Sequence, residues 1–578
     1  MIRLLYLLTL LLCALPLVPG LLGIVIPAFS WLPSLGLTEP NISAFTTVSQ
    51  WPGLSESVFL SLRTGFGSTL LAMLFCFLVL RKYWDSPKWQ RIEHTLSPML
   101  AMPHVAFSIG FAFTFAPTGW LFRVFETIGV DTAGWYSLIQ DQHGIGLLVV
   151  LAIKETPFLL LMSISVLQQL KVSRLMAVAI SLGYSRKQSW LKVIFPQWLP
   201  KMRLPIFAIL AYGISVVDIA LILGPSRPPT LAVLVWQWFN EPELSLLPRA
   251  AVGAILLLAV AILALTVIRL AEWTLLTYCR QWQISGPKQP VANKAKHTGQ
   301  DSQRGIPLYA PFVVIPLIVI PVLGLWSIAQ RWRFPDLLPS RYSLRFWQQE
   351  SYSLIELATN SIIFALVSSL LALILAIACL EYRQKYQRGL PSWLIAIPMV
   401  LPQLSILFGI QISTYLIPGQ WYWNWVTWSH LFFVFPYIYL ALDGPWRSYD
   451  IRLDQSARSL GLNSRQTWWR VKRPIMLPAI LLSLAVGISV SLAQYLPTQM
   501  LGAGRISTVT TEAIALASGQ DRRVSAIYGL LQGALPFIFF SLSLAASRYS
   551  ARFNRQTQQQ RRKNTDDLIC GKPNFKKL

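Results

Sequence analysis

A few charged or ionisable side chains stand in or beside long apolar runs: Lys154 and Glu155, Asp218, His104 and His430. Burying a charge in hydrocarbon costs at least ~2.5–3.5 kcal/mol, so such groups face other helices or a water-filled cavity, or meet a solute. Lys154 and Glu155 are adjacent, so they point to different faces of a helix and need not pair with each other. Asp218 sits in SVVDIALILGP, where a carboxylate either steers a cation or meets an arginine at the membrane surface. Gln494 and Tyr495 stand at the matching place in the second half of the chain. None of these residues completes an active centre. The five histidines form no H-E-x-x-H or Cys/His cluster, so each reads as a satisfied side chain. The five cysteines have neither metal nor redox spacing, so no metal site is expected. No G-x-x-x-x-G-K-[ST] phosphate loop occurs.

The more specific signal is polar. Ser181–Pro200 reads SLGYSRKQSWLKVIFPQWLP and Ser459–Pro478 reads SLGLNSRQTWWRVKRPIMLP. They align without a gap at an offset of 278 residues, with nine of twenty positions identical. Gly183 stands thirteen residues before Pro196, and Gly461 thirteen before Pro474. Glycine permits a turn that a Cβ would resist, and proline opens a helix where its missing N–H is an orphan anyway. A repeat kept in basic loops rather than in apolar spans implies that the loops touch something specific.

Both stretches resemble the cytoplasmic EAA loop of type I ABC importer permeases. That loop runs Glu-Ala-Ala, three residues, Gly, nine residues, an aliphatic residue, two residues, Pro. Ala177-Val178-Ala179, Gly183, Val193 and Pro196 fill the pattern once, and Gln455-Ser456-Ala457, Gly461, Val471 and Pro474 fill it again. The glutamate is missing from both copies. The resemblance implies that Ala177, Ala179, Gly183, Pro196, Gln455, Ala457, Gly461 and Pro474 dock a cytoplasmic ATPase. It also implies that Asp218, Gln494 and Tyr495 lie along the substrate path.

The elements that carry these residues are membrane spans. The chain has 578 residues, 54% hydrophobic and 13% charged, about half the charge of an average soluble protein. Runs of about 20 apolar residues predict twelve spans. The first six cover 4–28, 58–80, 96–117, 145–169, 203–224 and 250–270; the second six cover 307–329, 354–379, 392–414, 427–447, 479–500 and 524–546. The apolar N-terminus outruns a signal peptide and lacks a clear cleavage site, so it reads as a retained first helix. With the N-terminus inside, cytoplasmic segments hold 36 of the 49 basic residues. That bias places both loops and both termini in the cytoplasm, although Arg331, Arg333, Arg341 and Arg345 oppose it locally. It also explains the +25 net charge without nucleic acid, which is not expected as a partner.

The repeat extends into the spans. Ser68–Ala72 (STLLA) matches Ser368–Ala372 (SSLLA), and Gly213-Ile214-Ser215-Val216 recurs as Gly487-Ile488-Ser489-Val490. The expected fold is an all-α polytopic membrane protein of two similar six-helix permease domains. The first covers 1–280 with its docking loop at about 171–200, and the second covers 307–547 with its loop at about 448–478. A cytoplasmic linker (281–306) joins them and a basic tail (548–578), lying beside the lipid bilayer, follows. The fused arrangement resembles permeases for ferric iron and thiamine, and the resemblance implies the permease subunit of a bacterial ABC importer in the inner membrane. It is not expected to be an enzyme and holds no cofactor; ATP is bound by two copies of a separate ATPase. A periplasmic solute-binding protein delivers the solute, and the segment Trp326–Trp347 (aromatics and arginines) suits the membrane interface. The rival reading is an ion-coupled secondary transporter with two parallel six-helix repeats, which would carry ionisable residues deep in several helices.

Overall fold

The computed structural model describes residues 2–286, 307–417, 419–519 and 521–569. Of the expected linker, residues 287–306 lie outside the described part, as do residues 570–578 of the expected tail and Pro418, which falls between the expected spans 392–414 and 427–447.

A backbone in hydrocarbon has no water to bond, so it must satisfy itself, and an apolar chain does so as helices. The described residues are almost all helical. The strands among them are one short antiparallel pair, Ala329–Arg331 with Arg341–Tyr342. Among the described residues, ten helices are long and apolar enough to cross a membrane. A further pair, Ser392–Val400 and Gln403–Thr414, is bent by 96° and brings the count to at most eleven.

The twelve expected spans are thus not all recovered, and 203–224 is not one continuous helix. Arg203–Ser215 ends at Val216, whose backbone is extended (ψ 129°), and a short helix Asp218–Leu223 follows. The expected span 479–500 breaks likewise. Ser464–Leu492 stops at Ala493, and Leu496–Leu501 resumes after Tyr495. At this second break the Thr510 hydroxyl donates to the freed Leu492 carbonyl at 2.5 Å.

Proline makes two other bends. Met102 and Leu401 each precede a proline and are extended (ψ 118° and 143°), as the proline ring requires. The helices His104–Phe115 and Gln403–Thr414 begin directly afterwards.

These two helices hold the halves together. Gly20 and Gly23 of the first span cross Ile406 and Gly409, so close that a Cβ on Gly23 would lie 2.1 Å from the Gly409 carbonyl oxygen. In the reciprocal crossing, Gly110 packs on Val319 and Leu323 of Ala310–Ile328. Each half therefore lays its first span on the other. The halves also repeat a hydrogen bond: the Leu231 N–H donates to Ser61 Oγ at 2.8 Å, and the Val509 N–H to Ser361 Oγ at 2.9 Å.

Candidate functional site

The two basic loops fold alike, and local chemistry explains why. In the first, the helix Val172–Ser181 ends where Gly183 turns left-handed (φ +85°). The Gly183 N–H donates to the Ile180 carbonyl at 3.0 Å and the Tyr184 N–H to that of Ala179 at 3.0 Å. In the second, Arg452–Ser459 ends at Gly461 (φ +88°), whose N–H donates to Arg458 at 2.9 Å, while the Leu462 N–H donates to Ala457 at 3.1 Å. Both are Schellman caps, in which glycine takes the left-handed position without a Cβ penalty. Ala179 and Ala457 are buried and supply the cap carbonyls, whereas Ala177 and Gln455 are exposed.

A new helix follows at once in each loop. Ser185 and Gln188 form a capping box, and so do Asn463 and Gln466. Such boxes satisfy two orphan N–H groups each. Next comes one widened turn, Trp190–Ile194 and Trp468–Lys472, where the Phe195 and Arg473 N–H groups reach back five residues to Trp190 and Trp468. Pro196 and Pro474 stand just beyond it. Proline cannot donate to the carbonyl four residues back and its ring crowds that carbonyl, so the helix widens there. The expected fresh helix start at each proline is thus a continuous helix with a π-type turn.

The loops differ in what anchors them. In the first, Trp198 Nε1 donates to Ser163 Oγ at 3.0 Å, and Phe77 meets Trp190, Phe195 and Trp198. Lys192 Nζ donates to Ser285 and Gly286, where the linker begins. In the second, buried Lys472 pairs with Glu381 and Gln384, and its Nζ lies 5.2 Å from the Trp446 ring and 5.1 Å from that of Tyr449. Tyr449 donates to Asp454 at 2.6 Å; burial, then this bond, push its hydroxyl pKa up, so the donor stays protonated. At the turns, Val178, Ile180 and Leu182 are exposed in the first loop and Leu460, at 84%, in the second.

The second cluster lies at the helix breaks. Asp218 begins its short helix. It has no arginine or lysine ion-pair partner among the described residues, so of the two alternatives the arginine pair is not formed there. The short helix it begins packs against the helix that His104 begins. His104 Nε2 lies 3.2 Å from Glu155 Oε1, and its ring is 5.3 Å from that of Tyr212. Tyr495 meets Trp236 edge-on at 5.9 Å. Gln494 is buried, and neither its side-chain oxygen nor its nitrogen has a partner among the described residues.

Sequence reasoning flagged His104 and Glu155 separately; it missed that the fold brings them together and sets Tyr212 beside His104. Lys154 is the contrast. Its Nζ donates to the carbonyls of Met99 at 3.2 Å and Met102 at 2.7 Å. Proline 103 lacks the N–H that would have reached Met99, and Lys154 replaces it. His430 is satisfied on both sides, by Ser491 Oγ at 2.8 Å and Thr498 Oγ1 at 2.9 Å.

No protein-family model matches the chain. Over 536 residues it is 31% identical to the inner membrane ABC transporter permease protein YnjC of Escherichia coli (strain K12), covering 92% of this chain and 94% of the relative. Over 158 residues it is 25% identical to the molybdenum transport system permease protein ModB of Haemophilus influenzae, covering 25% of this chain and 68% of that protein.

Proposed function

The chain belongs to the ABC transporter permeases, as a multi-pass protein of the inner membrane, and from that premise we propose that it is the whole membrane channel of an importer. In this reading residues 1–280 and 307–547 are two permease domains, each with one docking loop for one copy of a cytoplasmic ATPase. Both termini and both loops are cytoplasmic. A periplasmic binding protein delivers a small solute. The chain has no phosphate loop of its own, so ATP is held by the partner.

The observation that carries the proposal is the paired loop. Two segments 278 residues apart repeat one construction: helix, left-handed glycine, capping box, widened turn. Each leaves apolar side chains exposed at its turn. Closure of an ATPase dimer would push on both turns. Their anchors, Trp198 on Ser163 and Lys472 on Glu381, would pass the movement into the spans. The helix breaks that carry Asp218, Gln494 and Tyr495 would then line the translocation path. What supports this is the contact across the halves between Tyr495 and Trp236, whose rings meet edge-on at 5.9 Å. Cysteines at Ala177 and Gln455 test the docking: each should cross-link to the ATPase. Failure of both, beside a positive control elsewhere in the complex, contradicts the assignment.

A further inference from the structure

A cavity of about 370 Å³ lies at the ends of three spans, on the membrane face opposite the two docking turns. That face follows from chain order, because His104–Thr127 ends where Ile145–Gln169 begins, and the latter leads straight into the first loop. The size falls within the roughly 300–1,000 Å³ of small-ligand pockets. Three arginines, Arg123, Arg522 and Arg523, and one aspartate, Asp521, contribute the charge of its lining.

The arginines are not equivalent. Arg523 grips Asp521 with two nitrogens at 2.9 Å each, so the carboxylate is occupied. Arg123 donates to the main-chain carbonyls of Thr118, Arg333 and Asp336 at 3.1, 2.7 and 2.7 Å, a structural use that ties the short hairpin to the bundle. Arg522 makes one hydrogen bond among the described residues, to Thr118 Oγ1 at 2.9 Å, and has no carboxylate partner there. Its guanidinium lies 5.3 Å from the Trp326 ring, which positions it without neutralising it. A guanidinium has five N–H donors in a fork that matches phosphate oxygens.

We propose that this cavity binds the phosphate of an anionic phospholipid head group, with Arg522 as its recognition group. The depth favours a lipid over a soluble anion. The site caps three spans, and Trp326, Trp332 and Phe334 line it, as aromatic side chains do at the head-group level. The inference does not depend on the solute carried or on which face is cytoplasmic.

Native mass spectrometry of the full chain, released from mixed vesicles of phosphatidylglycerol and phosphatidylcholine, tests it. The wild type should retain phosphatidylglycerol preferentially. Arg522→Gln should lose that preference about tenfold, in line with one charge-assisted hydrogen-bond group, and Arg522→Lys should lose less. Equal melting temperatures of wild type and variants show that the loss is not misfolding; if Arg522→Gln does not fold, the Arg522→Lys comparison decides. A lipid preference unchanged in the folded variants overturns the proposal. So does inorganic phosphate that binds the delipidated protein through Arg522 and displaces no lipid. So does an Arg522→Gln variant that loses capture of an acidic partner protein while its lipid preference stays intact.

Discussion

Gly23 and Gly409 touch backbone to backbone: a Cβ on Gly23 would fall 2.1 Å from the Gly409 carbonyl oxygen, and one on Gly409 would fall 1.9 Å from that of Gly20. Neither backbone can move aside as a flexible side chain would. Gly409→Ala is therefore expected to force the first span off the second half, at about 1–3 kcal/mol or more. The check is the melting temperature of purified protein. Gly324→Ala, where a Cβ would meet nothing within 4 Å, serves as the control and should be close to neutral.

Lys472 is buried against Glu381, Gln384 and two aromatic rings. Lys472→Met keeps the length and apolar stem but strands Glu381 with its nearest cation gone. The expected cost is about 1–3 kcal/mol, that of an unsatisfied buried polar group. Adding Glu381→Gln to the first change should recover part of it. Melting of the two single variants and the double variant measures the coupling, and strict additivity would show that the pair contributes nothing.

Asp218 reports on the solute. At an effective dielectric of about 20, a unit charge ~6 Å away is worth roughly 3 kcal/mol before screening. Asp218→Asn should slow transport of a cation about tenfold at limiting concentration and leave an anion unaffected or faster. Vesicle uptake assays with solutes of each sign measure this. Normal uptake of the natural solute, if that solute is a cation, would remove Asp218 from the path.

How legible these features were depends on how local their causes are. Gly183 with Pro196, and Gly461 with Pro474, could be read from spacing because a Schellman cap, a capping box and a proline-widened turn are each decided within a few residues. The break at Val216 could not. SVVDIALILG is apolar across it but for Asp218, and hydropathy does not register one extended residue. The companion break after Leu492 is held by Thr510, on another helix. The role of Lys154 was hidden for the same reason, since the carbonyls it satisfies belong to a different span. The crossing of Gly23 and Gly409 joins opposite halves, and nothing in the local pattern of either residue marks it.

Orientation has its own test. A single cysteine replacing Ser285, at the start of the linker, should resist an impermeant thiol reagent in intact spheroplasts and react once the membrane is opened. Labelling from outside would put both docking turns on the wrong face for a cytoplasmic ATPase.

The central claim is that the two glycine turns transmit ATP-driven movement, and coupling in liposomes measures it. At Gly461 a Cβ would meet nothing within 4 Å, so the effect of a substitution there comes from its φ of +88°. A left-handed conformation costs an L-residue roughly 1–2 kcal/mol, and more when it is β-branched. With the ATPase and binding protein reconstituted, Gly183→Val and Gly461→Val should each leave ATP hydrolysis running while solute uptake per ATP falls severalfold, and the double variant should abolish uptake. Unchanged uptake per ATP in both single variants and in the double variant would contradict the account.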